Sequence, residues 1–596
     1  MNVTSPRPTP PEPEELEQAR VLMREKRYAE AIRCLTPMIK SMRLDAPRSE
    51  EIIALIMMAD SQLLSGQPTD AYKNFVVASE LAPTHTIDLE RSIFQCLHKM
   101  PEPIISPKFE AHLVQFLADA RVDNNSLERI GLKLLKTKFQ IDNEDSSIEF
   151  SSILTDAFLP AALSNLILAD ARTELFLTQV RHHIFNLAIE SDLAEELQPL
   201  VIAFAEHAEK IEYAFDIEDS ERVVLLGIKA LLETEIDTET DLQQQLGPLI
   251  LYAMYEPIGT LSFSDKIFIS NLDDWPAELQ PLLKKTFNNR RVEQSLRESI
   301  GHLGNVTQEV SKKVMGLYEK NPYPRWENTF DLNKKLSYLA FNPVISPWVR
   351  NPKKFERQLK CLVAGSGTGQ HPLQLAASCK DISITALDLS LPSLCYGKRK
   401  AVESGIDNVE FVQGDILQLD SMDETFDVIE CSGVLHHMEI PEDGLQALLG
   451  RLRSHGLLRI GLYSRTARDA MGINRARVDN LDPTLEDIRT TRSLYLQNPD
   501  EFENMPRDFY STSECRDLLY HVQEHQYDLT EIKALLERNS LEFLGFNPMP
   551  NSLLAAFKNR FGPDSDARNL DDWHTFEQEN PLIFKGMYQF HCQKSE

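Results

Sequence analysis

The sequence LKCLVAGSGTG, at residues 359–369, decides the fold of this 596-residue chain. A short apolar run ends in three glycines at alternate positions, Gly365, Gly367 and Gly369, and a helix-like segment, QHPLQLAASC, follows. A strand, a glycine turn and a helix in this order present backbone amides and a helix N-terminus to a nucleotide-like ligand. Because a GxGxG sequence alone is a weak signal, its meaning depends on the residues that follow it.

Alternating strand and helix segments continue from this stretch toward the C-terminus. Helical sequences such as LPSLCYGKRKAVESG and DGLQALLGRLRS separate the predicted strands. The strands are predicted at residues 359–364, 382–390, 409–417, 426–437, 456–464, 541–547 and 583–592. This alternation predicts a doubly wound, Rossmann-like α/β domain with a seven-stranded sheet, which would bind ligands at the carboxyl ends of its strands.

Two carboxylates follow the glycine loop at positions that fit an adenosyl group. Asp388 ends the second predicted strand, 19 residues after Gly369, where it could accept both ribose hydroxyl hydrogens. Asp415 ends the third strand, where it could accept from the adenine amino group while Ile416 packs on the ring. An NAD loop usually reads GxGxxG, whereas this chain has GSGTGQ. Each aspartate could instead cap a helix or stabilise a turn, but both together behind this loop favour a ligand.

The segments AGSGTG, ALDLS, GDI and FDVIECSGVLHHM resemble the ordered motifs of class I S-adenosylmethionine-dependent methyltransferases. The resemblance covers about residues 310–596, and VLHH is similar to the small-molecule and quinone-type branch of that family. NPYPRW, DFYSTSECRDLLYHVQEH and GMYQFHCQK further resemble bacterial proteins that join a tetratricopeptide-like helical region to such a methyltransferase. In the family, the last strand is inserted antiparallel between strands five and six.

The resemblance also implies a cofactor and the residues that bind it. The cofactor is S-adenosylmethionine, and the implied binding residues are Gly365, Ser366, Gly367, Gly369, Gln370, Asp388, Leu389, Asp415, Ile416, Cys431 and Ser432. One position departs from the family, which often has an acidic residue where this chain has Val363. A backbone carbonyl or the region 321–326 would then have to contact the amino end of the cofactor.

The ends of two predicted strands and one connector contain candidate residues for catalysis and substrate binding. His436 and His437 come after the fourth strand, where the methyl group would point, and could act as a base, orient the acceptor or simply pack. Tyr463 ends the fifth strand and is a second candidate for the substrate pocket. Tyr323 and Arg325 lie in the connector NPYPRW, which either covers the active site or forms a structural turn.

A long insertion at residues 465–527 is predicted to form a substrate cap. Within it, HVQEH matches the H-x-x-E-H pattern of inverted zinc peptidases, in which His521 and His525 would bind zinc and Glu524 would act as base. A five-residue match arises by chance, so contacts inside the cap are favoured and no metal is predicted. Cations that could hold an acidic substrate, or merely be solvated, are Arg465, Arg468, Arg475 and Arg477.

The N-terminal half is predicted to be entirely helical. Small residues at regular spacing, with Ala31 and Ala71 at equivalent positions, indicate two degenerate tetratricopeptide-like repeats or, alternatively, generic helical hairpins. His182 and His183 are adjacent on a helix and point apart, which favours core or surface histidines. The predicted domains are a disordered proline-rich tail at 1–13, tetratricopeptide-like helices at 14–125, further helices at 126–305 and the methyltransferase domain at 306–596.

Composition excludes several classes of protein. The net charge of −29 argues against a broad nucleic-acid-binding surface, although a local basic groove stays open. The eight cysteines are scattered without a CxxC pair, which argues against zinc ribbons and disulfide scaffolds. The sequence shows neither an apolar run that could span a membrane nor an N-terminal signal sequence, so a cytoplasmic protein is predicted.

The favoured function is methylation of a small molecule in the cytoplasm. Methyl transfer from a sulfonium requires in-line alignment and exclusion of water, and a base only where the nucleophile arrives protonated. One alternative is a protein or peptide methyltransferase whose helical half recruits the substrate. A second alternative is an interaction protein that binds the cofactor without turnover.

Overall fold

The computed structural model describes residues 13–45, 47–81, 86–119, 124–143, 149–190, 195–327, 335–470, 483–497, 505–521 and 523–595. The predicted proline-rich tail, apart from Pro13, and the cap residues Arg475 and Arg477 lie outside these ranges. The chain divides into two compact units, residues 1–119 with 124–148, and residues 120–123 with 149–596. The domain boundaries at 125 and 305 stay predictions.

The first unit consists of helices that pack against their neighbours in sequence. Ala31, Ala59, Ala71 and Ala78 are fully buried between them, as expected where small residues let two helices approach closely. The assignment to tetratricopeptide repeats itself stays a prediction. The helices are Glu14–Arg24, Tyr28–Ser41, Ser49–Leu64, Pro68–Leu81, Thr86–Lys99, Pro107–Leu117 and Asn125–Phe139.

The second unit begins with more helices and continues into the α/β domain. Its first helices are Phe150–Leu154, Phe158–Asn165, Ala171–Glu190, Gln198–Lys210, Asp219–Glu235, Glu239–Gln244, Leu246–Ala253, Gln280–Leu283 and Arg290–Leu296. Those of the α/β domain are Glu309–Lys320, Tyr338–Phe341, Gln370–Ser378, Leu391–Glu403, Pro441–Arg451, Arg465–Ala470, Leu485–Leu496, Thr512–Tyr520, Leu529–Arg538, Asn551–Phe561 and Leu570–Glu579. Among the described residues, no helix combines the length and apolar character needed to cross a membrane.

The strands of the described residues form one mixed sheet. They are β1 Gly301–Leu303, β2 Leu359–Ala364, β3 Ile382–Asp388, β4 Val409–Gly414, β5 Phe426–Ser432, β6 Leu452–Leu462, β7 Leu541–Phe546 and β8 Tyr588–Lys594. Their order is β1-β4-β3-β2-β5-β6-β8-β7. All neighbours pair parallel except β8, which runs antiparallel to both β6 and β7. The predicted doubly wound fold and the antiparallel insertion of the last strand are confirmed.

The predicted number of strands was wrong, because the described sheet has eight strands rather than seven. The additional strand is β1, which pairs with β4 at the sheet edge in a region predicted to be helical. Three residues, Gly301–Leu303, are too few to show the alternation by which a strand is recognised. Predicted strands 382–390, 409–417 and 426–437 also run past the observed ends, because their last residues turn into loops at the carboxyl edge.

Both faces of the sheet are covered, as the apolar sequence of β2 requires. Cys361 and Val363 face a cluster that includes Tyr338. Leu362 and Ala364 face the opposite cluster, which holds the helices after β5 and near the C-terminus. Polar groups of β2 to β5 can therefore meet a ligand only where the strands end, and this edge contains the candidate site.

Candidate active site

The glycine loop after β2 is shaped by its contacts with other chain segments. Gly365, Gly367 and Gly369 have φ values of +75°, +52° and +82°, which L side chains rarely adopt. A Cβ at Gly365 would lie 2.1 Å from a methyl carbon of Val434, and one at Gly367 would lie 2.5 Å from the carbonyl oxygen of Tyr323. The glycines therefore permit both the turn and the close approach of neighbouring backbone.

The connector NPYPRW lies directly against this loop. The backbone N–H of Thr368 donates to the Tyr323 carbonyl at 3.1 Å, and its hydroxyl donates to the Pro324 carbonyl. The indole N–H of Trp326 donates back to the Thr368 carbonyl at 3.2 Å. Of the two predicted substrate residues here, Tyr323 lines the cavity described below, whereas Arg325 pairs with Glu209 and Glu212 and does not.

The two predicted carboxylates both lie at the edge of the same cavity. Asp388 accepts from the backbone N–H of Gly367 at 2.7 Å and of Ser390 at 2.9 Å. Burial raises the pKa of Asp388, and these backbone donors counteract the shift. Asp415 accepts from the backbone N–H of Leu417 at 3.0 Å. Since each carboxylate oxygen has two lone pairs, acceptor capacity remains for ribose hydroxyls and for the adenine amino group.

A cavity of about 290 Å³ connects these groups at the carboxyl edge of the sheet. Predicted residues that line it are Gly365, Ser366, Gly367, Gln370, Asp388, Leu389, Asp415, Ile416, Ser432, Tyr323, His437 and Tyr463. Predicted residues outside the lining are Gly369, Cys431, His436 and Arg325. The roles assigned to both groups stay predictions.

The two adjacent histidines after β5 have different surroundings. His437 lines the cavity, while His436 is fully buried beneath it with its ring 4.0 Å from that of Tyr463. Burial and the neighbouring His437 hold the pKa of His436 far below its ordinary value, so the side chain is neutral. Of the pair predicted to be catalytic, His437 is therefore the one placed to meet a substrate.

Sequence reasoning missed several groups at this end of the cavity. Tyr318 and Asp517 line it together with His437, and the Tyr318 hydroxyl donates to the Asp517 carboxylate. Asp517 comes from helix Thr512–Tyr520, in the predicted cap. Met587, just before β8, also lines the cavity. Asp517 and Met587 lie in segments quoted for the resemblance, whereas Tyr318 precedes them, and no local spacing connects residues more than 60 positions apart.

Beside Val363, where the family often has an acidic residue, the neighbouring strand carries a glutamate. Val363 pairs in register with Glu430 on β5. Glu430 contacts His371, which lines the cavity, and accepts from Arg459 at 3.0 Å and from the Tyr338 hydroxyl at 2.9 Å. Burial would raise its pKa, but His371 and Arg459 outweigh burial and hold the Glu430 pKa below its usual value. The strand next to Val363 thus carries a carboxylate, Glu430, but this carboxylate is already paired with His371 and Arg459.

The HVQEH pattern does not form a peptidase-type helix. Helix Thr512–Tyr520 ends before the pattern begins, and His525 turns back to contact the Met438 carbonyl at 3.1 Å. Glu524 lies 3.8 Å from Arg468. The favoured interpretation, contacts within the cap, agrees with this geometry.

Comparison with known proteins matches the strands and loops around this edge of the sheet to a protein family. Residues 361–456, which run from β2 into β6, match a family whose description is "Methyltransferase domain". The chain contains a class I S-adenosylmethionine-dependent methyltransferase domain. S-adenosylmethionine is therefore its cofactor, and the glycine loop with Asp388 and Asp415 provides a donor and acceptor set that fits it.

Relatives of this methyltransferase-domain protein are distant. An uncharacterised protein of Synechococcus is 27% identical over 265 residues, covering 40% of this chain and 60% of that protein. The ubiquinone biosynthesis O-methyltransferase of Rickettsia felis is 24% identical, covering 27% of this chain and 64% of that enzyme. The solved structure of PKMT2 from Rickettsia typhi is 18% identical with a TM-score of 0.33, covering 46% of this chain and 54% of that one. The chain thus spans less than two thirds of the length of these relatives.

Proposed function

We propose that this chain transfers the methyl group of S-adenosylmethionine to a small-molecule acceptor. The observation that carries the proposal is a single cavity, whose lining includes the glycine loop, Asp388 and Asp415 together with His437, Tyr463 and Asp517. Adenosine bound by the two carboxylates leaves the rest of the cavity for the methyl group and its acceptor. The connector at Tyr323 covers the loop and supports exclusion of water from the reaction.

The reaction requires alignment more than covalent help from the protein. A bond forms between the acceptor atom and the methyl carbon, while the carbon–sulfur bond breaks and its electron pair stays on sulfur as S-adenosylhomocysteine. His437, Tyr463 and Asp517 are placed to orient an acceptor and to receive its proton where it carries one. His437, Tyr463 and Asp517 are all buried, and this supports a small acceptor that enters the cavity over the surface of a folded protein.

Cofactor binding is tested by calorimetric titration of the protein with S-adenosylhomocysteine. We expect Asp388→Ala to weaken binding about 10- to 100-fold, because it removes charged hydrogen bonds to the ribose. Asp407→Ala is the matched control, since this exposed aspartate precedes the next strand and should leave affinity unchanged. Equal affinity for wild type and Asp388→Ala would contradict the assignment.

Turnover is tested with methyl-labelled S-adenosylmethionine and a cell extract separated into small-molecule and protein fractions. We expect label in the small-molecule fraction. Label confined to protein would refute the small-molecule proposal and support recruitment of a protein by the helical half. Absence of label despite intact cofactor binding would support the non-catalytic alternative.

A further inference from the structure

His371 and Glu430 form a contact near the glycine loop that the binding of adenosine does not by itself require. His371 is the second residue of helix Gln370–Ser378 and lines the cavity. Its Nε2 contacts the Oε2 atom of Glu430. Glu430 lies on β5 in register with Val363 of β2. The contact is therefore next to the strand position where the family often has an acidic side chain.

We propose that His371, held in place by Glu430, binds the amino group of the methionine part of S-adenosylmethionine. The inference rests on the cofactor-binding part of the proposed function. It assigns the contact that Val363 cannot make to a side chain on another element. His371 would accept from the cofactor ammonium through Nδ1, and Glu430 is a positioning residue that orients the ring.

The order of the strands places this contact beside the groups that fit adenosine. Along the sheet edge β4-β3-β2-β5, Asp415 follows β4 and Asp388 ends β3. Next along the same edge, the contact between His371 and Glu430 joins the segment after β2 to β5. Since the amino-acid chain of the cofactor is attached to the ribose through sulfur, it comes next along this edge. The protein groups thus follow the order of the parts of the cofactor.

The partners of the imidazole determine which of its nitrogens is left for a ligand. Because a carboxylate only accepts, the contact with Glu430 requires hydrogen on the His371 Nε2. The Arg459 Nη1 lies 3.2 Å from this Nε2 and 3.0 Å from the Glu430 Oε2, and a guanidinium only donates, so it donates to the carboxylate. Arg459 thus balances the charge of Glu430, and the helix N-terminus disfavours a further cation. In the neutral ring, Nδ1 keeps a lone pair that can accept from an ammonium.

A second polar group at the loop supports a ligand beside His371. Ser366 is 7% exposed and lines the cavity, and its hydroxyl forms no hydrogen bond within the part of the chain that the structure describes. A buried hydroxyl without a partner is destabilising, and a ligand that accepts from it removes this penalty. The carboxylate of the cofactor is such an acceptor. It is attached to the same carbon atom as the ammonium, so the two groups fit neighbouring protein groups.

The test is calorimetric titration of the full chain with ligands that differ only at the amino-acid end. S-adenosylhomocysteine has the whole end, its decarboxylated form keeps only the amino group, and 5′-methylthioadenosine has neither group. We expect His371→Leu to weaken binding of the two amino-bearing ligands about 10-fold or more, because a charged hydrogen bond is lost. Affinity for 5′-methylthioadenosine should change less than about 2-fold, since its contacts are unaltered. Gln374→Ala, at an exposed position of the same helix, is the matched control and should change none of the affinities.

Two further variants separate ligand binding from a structural role. His371→Asn keeps an acceptor oxygen close to the position of Nδ1 and should retain S-adenosylhomocysteine affinity within about threefold. Glu430→Gln should weaken S-adenosylhomocysteine binding about threefold or more relative to that of 5′-methylthioadenosine, because an amide that can also donate no longer fixes the ring. Binding of 5′-methylthioadenosine shows that each variant is folded.

The outcomes distinguish this inference from the proposed function. Equal losses for S-adenosylhomocysteine and 5′-methylthioadenosine in His371→Leu, or no loss for either, would overturn the inference and leave the proposed function intact. A loss confined to the ligand with a carboxylate would place that group, not the amino group, at His371 and would also overturn it. Wild-type protein that binds none of the ligands would contradict the proposed function as well.

Discussion

At the scale of single residues, the site depends on glycines, which have no side chain, as much as on its polar side chains. Gly367 leaves room for the carbonyl of Tyr323, which would otherwise meet a Cβ at 2.5 Å. The same loop supplies the N–H that Asp388 accepts. Gly367 therefore contacts both the connector that covers the loop and Asp388, the proposed ribose-binding carboxylate.

Gly367→Ala is expected to destabilise the protein by about 3 kcal/mol and to weaken S-adenosylhomocysteine binding at least tenfold, since strain and steric overlap combine. Chemical denaturation and calorimetry measure the two effects. Gly405→Ala is the control, because Gly405 has a similar φ of +64° with nothing within 4 Å of its Cβ position. It should cost about 1 kcal/mol and leave binding unchanged; equal effects at both positions would contradict the role of the overlap.

A pH effect is expected from Asp60, on helix Ser49–Leu64 of the first unit. Burial raises the pKa of Asp60 from 3.8 to about 6. Because the folded pKa of this carboxyl group is raised, the protein's free energy of unfolding falls as the pH rises from 3.8 to about 6. Above that range this group causes no further change. Asp60→Asn should therefore stabilise the protein by about 1–2 kcal/mol at pH 8, discounted for partial exposure, with no gain below pH 4.

Denaturant unfolding of the full chain at both pH values measures this difference. Asp70→Asn, on the neighbouring helix Pro68–Leu81, is the control, because this side chain is 58% exposed. Its substitution should change stability by less than about 0.5 kcal/mol at either pH. A gain in Asp60→Asn that persists at pH 4 would argue against burial of charge as the cause.

At the scale of elements, two helices of the predicted cap are joined to the rest of the second unit by buried polar contacts. Arg492, on helix Leu485–Leu496, donates to Glu174 at 2.5 Å and to the carbonyls of Ala214 and Phe509. Both charged side chains are at most 2% exposed. Helix Thr512–Tyr520, which carries Asp517, is buried along its whole length. These two helices are thus an integral part of their unit.

Arg492→Met is expected to destabilise the protein by about 3–5 kcal/mol, because Glu174 keeps a buried charge without its counter-ion. The double substitution with Glu174→Met should recover more than half of this loss. Thermal unfolding measures both variants. Arg222→Met is the control, since its pair with Glu486 is 32% and 49% exposed and should contribute about 0.5 kcal/mol. A double variant as unstable as Arg492→Met would show that packing, not charge, dominates.

At the scale of the whole molecule, the candidate site lies within one compact unit. The residues that line the cavity all belong to the second unit, whose long segment begins at residue 149. The region predicted at 126–305 contributes Glu174, Glu209 and Glu212 to contacts with the α/β part of the same unit.

Two truncations test this organisation. A fragment of residues 149–596 should bind S-adenosylhomocysteine within about threefold of the full chain, because it keeps the whole lining of the cavity. A fragment of residues 306–596 should be unfolded or unstable, since it loses β1 and the partners of Arg492 and Arg325. Solubility and calorimetry provide the measurements. A stable, cofactor-binding 306–596 fragment would contradict this expectation and support the predicted boundary at 305.

The sequence by itself determined the α/β fold and the cofactor, and it predicted twelve of the residues that line the cavity. Strands β2 to β5, of six or seven residues each, the three glycines and the two aspartates at strand ends are local signals, and their spacing specifies the edge of a parallel sheet. Tertiary structure decided which adjacent histidine faces the cavity, because His436 and His437 differ only in what packs against them. It also brought Asp517 and His521 to His437 and β1 to β4. Contacts between segments more than 60 residues apart leave no periodicity in either segment, so only the folded chain reveals them.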